Sequence, residues 1–173
     1  MKEGTGGSKQ RILEARLMAK AIVWSRKGMR AGHGGPFGAV VARAGKIIGE
    51  GNNRVVAEWD PTAHAEVVAI RDACRKLKSF RLDGCVLYTS CEPCPMCLAA
   101  AYWARVDRIV FANSRADAEQ AGFGDKFIYD EIPLHPGKRR LRMTRLSAKA
   151  ALEVFKEWNR KADKIPYGPD LPG

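Results

Sequence analysis

The segment PTAHAEVVAIRDACRKLKSFRLDGCVLYTSCEPCPMCLAAAYWA, residues 61–104, carries both the architecture and the chemistry of this chain. Its first part reads as a helix. Asp60 is an N-cap acceptor and Pro61 suits the first helical position. Val67, Ile70 and Cys74 then share one face as far as about Leu77. CVLYTS, from Cys85 to Ser90, reads as a short buried strand. Pro93 opens a second helix, from Cys94 to about Ala104. A helix, a strand and a helix in so short a span imply an α/β architecture.

The flanks extend that pattern. Residues 1–8 are rich in Gly and charge and are expected to be a disordered lead-in. Ser8 is placed to cap a helix running to about Met29, with Ile12, Ala15, Ala19 and Ile22 as its apolar stripe. AGHGGPFG, from Ala31 to Gly38, is a loop. GAVVARAGKIIGEG reads as two strands joined by a tight turn at Ala44–Gly45, and Asn52 to Trp59 as a connecting loop. Downstream come a strand at RIVFA (Arg108 to Ala112), a short helix from Ser114 to Ala121, and a loop at GFGDKFIY. A fifth strand is expected at RLRMTRL (Arg140 to Leu146), then an amphipathic helix from Ser147 to about Asp163. The expected fold is a three-layer α/β/α sandwich around a mixed five-stranded sheet. Residues 9–164 form one domain and residues 165–173 a C-terminal tail.

At 173 residues a single domain with a full hydrophobic core is the simplest expectation. The longest apolar run, Cys97 to Ala104, is far short of a membrane span, and the polar N-terminus lacks the apolar core of a signal peptide. A cytoplasmic location is therefore expected. Five cysteines, three of them spaced at Cys91, Cys94 and Cys97, favour a metal over disulfides in that compartment. The net charge is +11, concentrated at Lys138, Arg139, Arg140, Arg142, Arg145 and Lys149 with no acid between them. No aromatic residue interrupts that run, so a solvated face is favoured over a nucleic-acid surface.

His64, Cys94 and Cys97 supply one imidazole and two thiolates, and Glu66 adds a carboxylate. Three protein ligands leave the fourth tetrahedral position of zinc open, as catalysis requires. Bound zinc brings the pKa of water to about 7. Cys97 follows Cys94 by three residues and so lies on the same helix face. Helix N-termini at a metal favour thiolate over thiol. Glu66 is then the candidate to carry protons. The competing arrangement is a closed structural site in which Cys91 is a fourth ligand. Cys74 and Cys85 read as inert core residues. The pattern His-x-Glu followed by Pro-Cys-x-x-Cys is the signature of zinc nucleobase deaminases.

The chain resembles the bacterial guanine deaminases of the cytidine deaminase superfamily. The resemblance runs from about Ala15 to Tyr167. It rests on GGPFGAV (Gly34 to Val40), DPTAHAE (Asp60 to Glu66), LYTSCEPCPMC (Leu87 to Cys97), YWAR (Tyr102 to Arg105) and the AGF-D segment ending at Asp125. It implies a cytidine deaminase-like fold, one Zn2+ per subunit, and a homodimer whose C-terminal segment crosses to the partner. It implies hydrolysis of guanine at C2 to xanthine and ammonia. Glu66 and Asp125 would be catalytic, with Asp125 on the guanine amino side. Asn53, Phe37 and Trp103 would contact the purine, and Tyr167 would cover the partner's site. Two departures stand out: Gly124 where the family carries an acid, and GPDLPG after Tyr167. Guanosine deaminases and tRNA adenosine deaminases share the zinc motifs, and a zinc-stabilised binding module is the non-catalytic alternative.

Overall fold

A computed structural model describes residues 4–168. The chain divides into two compact units, Met1–Asp125 and Lys126–Gly173.

The first unit is built on a four-stranded sheet. Strands β1 (Gly38–Arg43), β2 (Lys46–Asn52), β3 (Cys85–Cys91) and β4 (Arg108–Asn113) lie in the order β2-β1-β3-β4. β1 is antiparallel to both β2 and β3, whereas β3 and β4 are parallel, so the sheet is mixed. The turn between β1 and β2 has positive φ at both Ala44 and Gly45. That is the backbone a two-residue hairpin with right-handed strand twist demands.

Helices pack on the sheet according to the two-residue period of the strands. Ala39, Val41, Cys85 and Leu87 cluster with Ala65, Ala69, Ile70 and Ala73 of α3 (Ala65–Leu77), and with Ala101 of α4 (Pro95–Trp103). The intervening residues Val40, Ala42 and Tyr88 cluster with Leu17 of α1 (Gly4–Arg30). α3 sits unusually close to β2 because β2 presents glycine. A Cβ at Gly49 would lie 2.3 Å from the Ala69 carbonyl, and one at Gly51 2.6 Å from that of Ala65. That close approach carries the start of α3 over the end of the sheet.

Several sequence expectations are corrected. The first helix begins at Gly4, so residues 4–8 are helical and Ser8 lies inside the helix instead of capping it. The connecting loop holds a one-turn helix, α2 (Val55–Glu58). Asp60 does not cap α3: its Oδ1 accepts from the Thr62 N–H and hydroxyl, both at 2.7 Å, forming a local turn. α3 therefore starts at Ala65 with His64 as N-cap, and α4 at Pro95 with Cys94 as N-cap. The short helix α5 (Arg115–Gln120) matches its expected place and is closed by a capping box between Ser114 and Asp117.

The second unit comprises α6 (Lys126–Glu131), a single helical turn at Pro136–Lys138, and α7 (Ala148–Arg160). α6 replaces the loop expected at Lys126 to Tyr129. The fifth strand at 140–146 does not form, so the sheet has four strands and not five. The alternation of basic and apolar residues there mimics a strand. An unpaired segment gains no ladder hydrogen bonds, however, and Leu141, Met143 and Leu146 are exposed. Arg139 instead donates to the carbonyls of Ile132 and Leu134, at 2.8 and 3.0 Å. Among the described residues no helix is long and apolar enough to cross a membrane.

Candidate active site

Two helix N-termini converge at the end of the sheet. His64 and Cys94 are both N-cap residues with extended backbone, and neither side chain caps its own helix. Both side chains are thus directed away from their own helix ends and toward each other. Cys97, on the first turn of α4, completes the group. The donor atoms of His64, Cys94 and Cys97 all lie within 4.8 Å of one another.

The spacing fits zinc. Zn–S bonds of about 2.3 Å and a Zn–N bond of about 2.0–2.1 Å at tetrahedral angles place N and S about 3.6 Å apart. The His64 Nδ1 lies 3.5 Å from the sulfur of Cys94 and 3.5 Å from that of Cys97. Cys91 is outside this group. Its thiol donates to the Ser114 carbonyl at 3.6 Å, and burial pushes its pKa up to about 11. An arrangement with Cys91 as fourth ligand is therefore not what the geometry brings together.

The protonation pattern suits a metal-binding pair. The thiol of Cys97 hydrogen-bonds to Cys94, which with the His64 contact lowers the Cys94 pKa to about 4. That same hydrogen bond, with burial, holds Cys97 as the thiol. The Cys94 contact raises the pKa of His64. The three side chains already hold one thiolate among them, and a dication replaces the remaining protons.

Glu66 lies beside the donors. It is only 5% exposed, and burial raises its pKa above the ordinary carboxylate range. Its Oε1 accepts from the Thr89 hydroxyl at 3.0 Å, and its Oε2 lies 3.3 Å from the Cys97 sulfur. Thr89, fully buried in β3, is a residue the sequence reading missed.

Asn53 and Phe37 meet through their backbones, the Asn53 N–H donating to the Phe37 carbonyl at 2.9 Å. Asn53 Oδ1 accepts from the Val55 N–H at 3.2 Å, which orients the carboxamide. Phe37 packs edge-to-face on Phe123, with ring centroids 5.0 Å apart. Asp125 is half-buried; burial and then the Cys94 charge raise its pKa, while Arg115 acts against them. Arg115 is itself bound to the zinc motif: its N–H donates to Glu92 Oε2 at 3.1 Å, and its Nε lies 3.6 Å from Oε1. Trp103 sits at the far end of α4, roughly 13 Å along the axis from Cys94, and is 57% exposed. Tyr167 is an exposed residue of the second unit.

Residues 12–113 match the family described as the cytidine and deoxycytidylate deaminase zinc-binding region. The chain belongs to this family. The family is described as zinc-binding, and the His64, Cys94 and Cys97 donors that converge here form a triad able to hold that metal. Among its relatives, a guanine deaminase of Bacillus subtilis is 47% identical over 151 residues, covering 87% of this chain and 97% of that protein. A tRNA-specific adenosine deaminase of Aquifex aeolicus is 37% identical over 127 residues, covering 73% of this chain and 81% of that protein. The X-ray structure of guanine deaminase from Bacillus subtilis superposes with a TM-score of 0.86 at 46% identity, covering 89% of this chain and 98% of that one.

Proposed function

We infer that this protein is a zinc-dependent guanine deaminase, hydrolysing guanine to xanthine and ammonia. The observation that carries the reading is a three-donor zinc set with a buried, high-pKa carboxylate in contact with it. Similarity to a guanine deaminase over nearly that protein's whole length supports the choice of substrate.

His64, Cys94 and Cys97 hold one zinc ion per chain. When bound, the zinc activates a water for attack. Glu66 takes the proton of the attacking water, since its buried carboxylate lies against the donor set, with Oε2 3.3 Å from the Cys97 sulfur. It delivers that proton to the purine at N3, then takes the second proton from the hydroxyl now on C2 and passes it to the amino group, which leaves as ammonia while the C2 carbonyl forms. Thr89 keeps Oε1 occupied, so the carboxylate works through Oε2. Asn53, with its Oδ1 held by Val55, presents its NH2 to an acceptor on the base. Phe37 supplies apolar surface around the purine, whereas Trp103, at the far end of α4, stands away from the donors. Asp125 accepts from the donor edge of guanine, N1–H and the amino group. Adenine presents an acceptor at N1, and two acceptors facing each other disfavour it.

The enzyme works as a homodimer in the cytoplasm, with Tyr167 of each subunit covering the site of its partner. Apolar side chains left exposed by a single chain support this: Tyr102, Trp103 and Phe111 in the first unit, Leu152, Phe155 and Trp158 in the second. Five free cysteines suit a reducing compartment. Sedimentation equilibrium is expected to give twice the chain mass, and deletion from Tyr167 onward to raise KM for guanine. A fully active monomer overturns the dimer, and an unchanged KM removes Tyr167 from the site.

The decisive experiment follows ammonia release from guanine, guanosine and a tRNA anticodon stem-loop. Guanine alone is the expected substrate. Turnover of guanosine alone replaces the substrate within the same mechanism. Turnover of the stem-loop alone, with binding that weakens steeply in salt, makes the protein an RNA enzyme and gives the basic stretch 138–149 a role.

A further inference from the structure

The last residues before Asp125 are built to a defined geometry. α5 ends in a Schellman motif: the Gly122 N–H donates to the Glu119 carbonyl at 3.0 Å and the Phe123 N–H to the Ala118 carbonyl at 2.9 Å. Gly122 occupies the left-handed position that closes the motif, with φ 87°. The chain is thereby turned so that Phe123 leaves α5 toward the Gly-rich loop.

In a usual Schellman motif the apolar residue at this position folds back on its own helix. Here the ring reaches across to Phe37 at an interplanar angle of 84°. The backbone of Gly35 closes on the same pair: a Cβ there would lie 2.8 Å from Phe37 Cε2 and 3.0 Å from Phe123 Cε1. Phe123 nevertheless remains 44% exposed and belongs to neither hydrophobic core cluster.

The segment 121–125 thus has two tethers. One is the Arg115–Glu92 ion pair, which ties the start of α5 to the zinc motif. The other is the Phe123–Phe37 contact, which ties its end to the Gly-rich loop before β1, where the Phe37 carbonyl accepts from the Asn53 N–H.

We propose that Phe123, through its contact with Phe37, positions the Asp125 carboxylate against the purine and so sets the affinity of the site for its substrate. This rests on the guanine deaminase reading. Phe123 is a positioning residue and not a catalytic one: its ring acts through Phe37 on one side and through the short link to Asp125 on the other.

The test uses the full-length zinc enzyme and four variants: Phe123→Ala, Phe123→Tyr, Asp125→Asn and the double variant Phe123→Ala/Asp125→Asn. Zinc content and the thermal midpoint establish that each is folded. Phe123→Ala is expected to raise KM for guanine about tenfold, the upper end of what an edge-to-face contact contributes. The Kd for xanthine, measured by equilibrium dialysis, rises in parallel, while kcat stays within about threefold. Phe123→Tyr keeps the ring and restores KM to within about twofold of the parent. In the Asp125→Asn background, adding Phe123→Ala changes KM by less than about twofold, because both substitutions remove one interaction.

A wild-type KM in Phe123→Ala alongside an impaired Asp125→Asn overturns the proposal and leaves the reading of the site intact. So does a full tenfold effect in the Asp125→Asn background, which makes the ring an independent wall. An unimpaired Asp125→Asn overturns both the proposal and the role of Asp125.

Discussion

Glu66→Gln is expected to lower kcat for guanine by about 10³-fold or more, at the upper end of general acid–base effects, while the protein keeps one zinc per chain. Glutamine preserves the volume and still offers a carbonyl oxygen to the Thr89 hydroxyl, which donates to Glu66 Oε1 at 3.0 Å. What it removes is the capacity to accept and return a proton. A 10³-fold loss corresponds to about 4 kcal/mol of transition-state stabilisation. Steady-state ammonia release and metal analysis on the same preparation decide the matter. Retained turnover with retained zinc ends the proton-carrier role; joint loss of both makes Glu66 part of the zinc site's support.

The second large effect concerns the donors. Cys97→Ser is expected to abolish stoichiometric zinc and with it turnover, and His64→Ala to do the same. Cys91→Ser is expected to retain both. The distinction follows from geometry: the sulfurs of Cys94 and Cys97 each lie 3.5 Å from His64 Nδ1, whereas the Cys91 thiol is bonded to the Ser114 carbonyl. Chelation of the parent enzyme should abolish activity reversibly and lower the thermal midpoint. A ligand present at 1,000 times its Kd stabilises a folded protein by about 4 kcal/mol. Loss of zinc from Cys91→Ser would instead establish a closed four-ligand site and remove the catalytic reading.

The zinc donors were legible because they sit in short local patterns. Cys94 and Cys97 are three residues apart, and His64 and Glu66 two apart, so each pair is read from a few neighbouring residues. Where the helices begin was less legible. Pro61 and Pro93 are each well suited to a first helical turn, yet both precede their helix. At Asp60 the side chain bonds Thr62 in a local turn, which competes with capping. The displacement matters chemically, because it moves His64 and Cys94 from the first turn to the N-cap, where their side chains meet. The expected fifth strand failed for a related reason. Leu141 and Met143 alternating with Arg140 and Arg142 make a strand-like pattern, but pairing is a non-local event that the pattern does not report.

The sequence by itself determined the donor types, the order of the β1–β2 hairpin and the succeeding α/β units, and the family. Each of these is written in residues close together, where backbone geometry relates neighbours directly. The tertiary structure alone decided which donors converge, that Cys91 turns away to Ser114, that Glu66 is buried against Thr89, and that Phe123 reaches Phe37. Those outcomes depend on how closely α3 can approach β2 over Gly49 and Gly51, and on how the parallel β3–α4–β4 crossover lays α4 beside it. Contacts between distant segments depend on packing of the whole sheet, which no local spacing encodes.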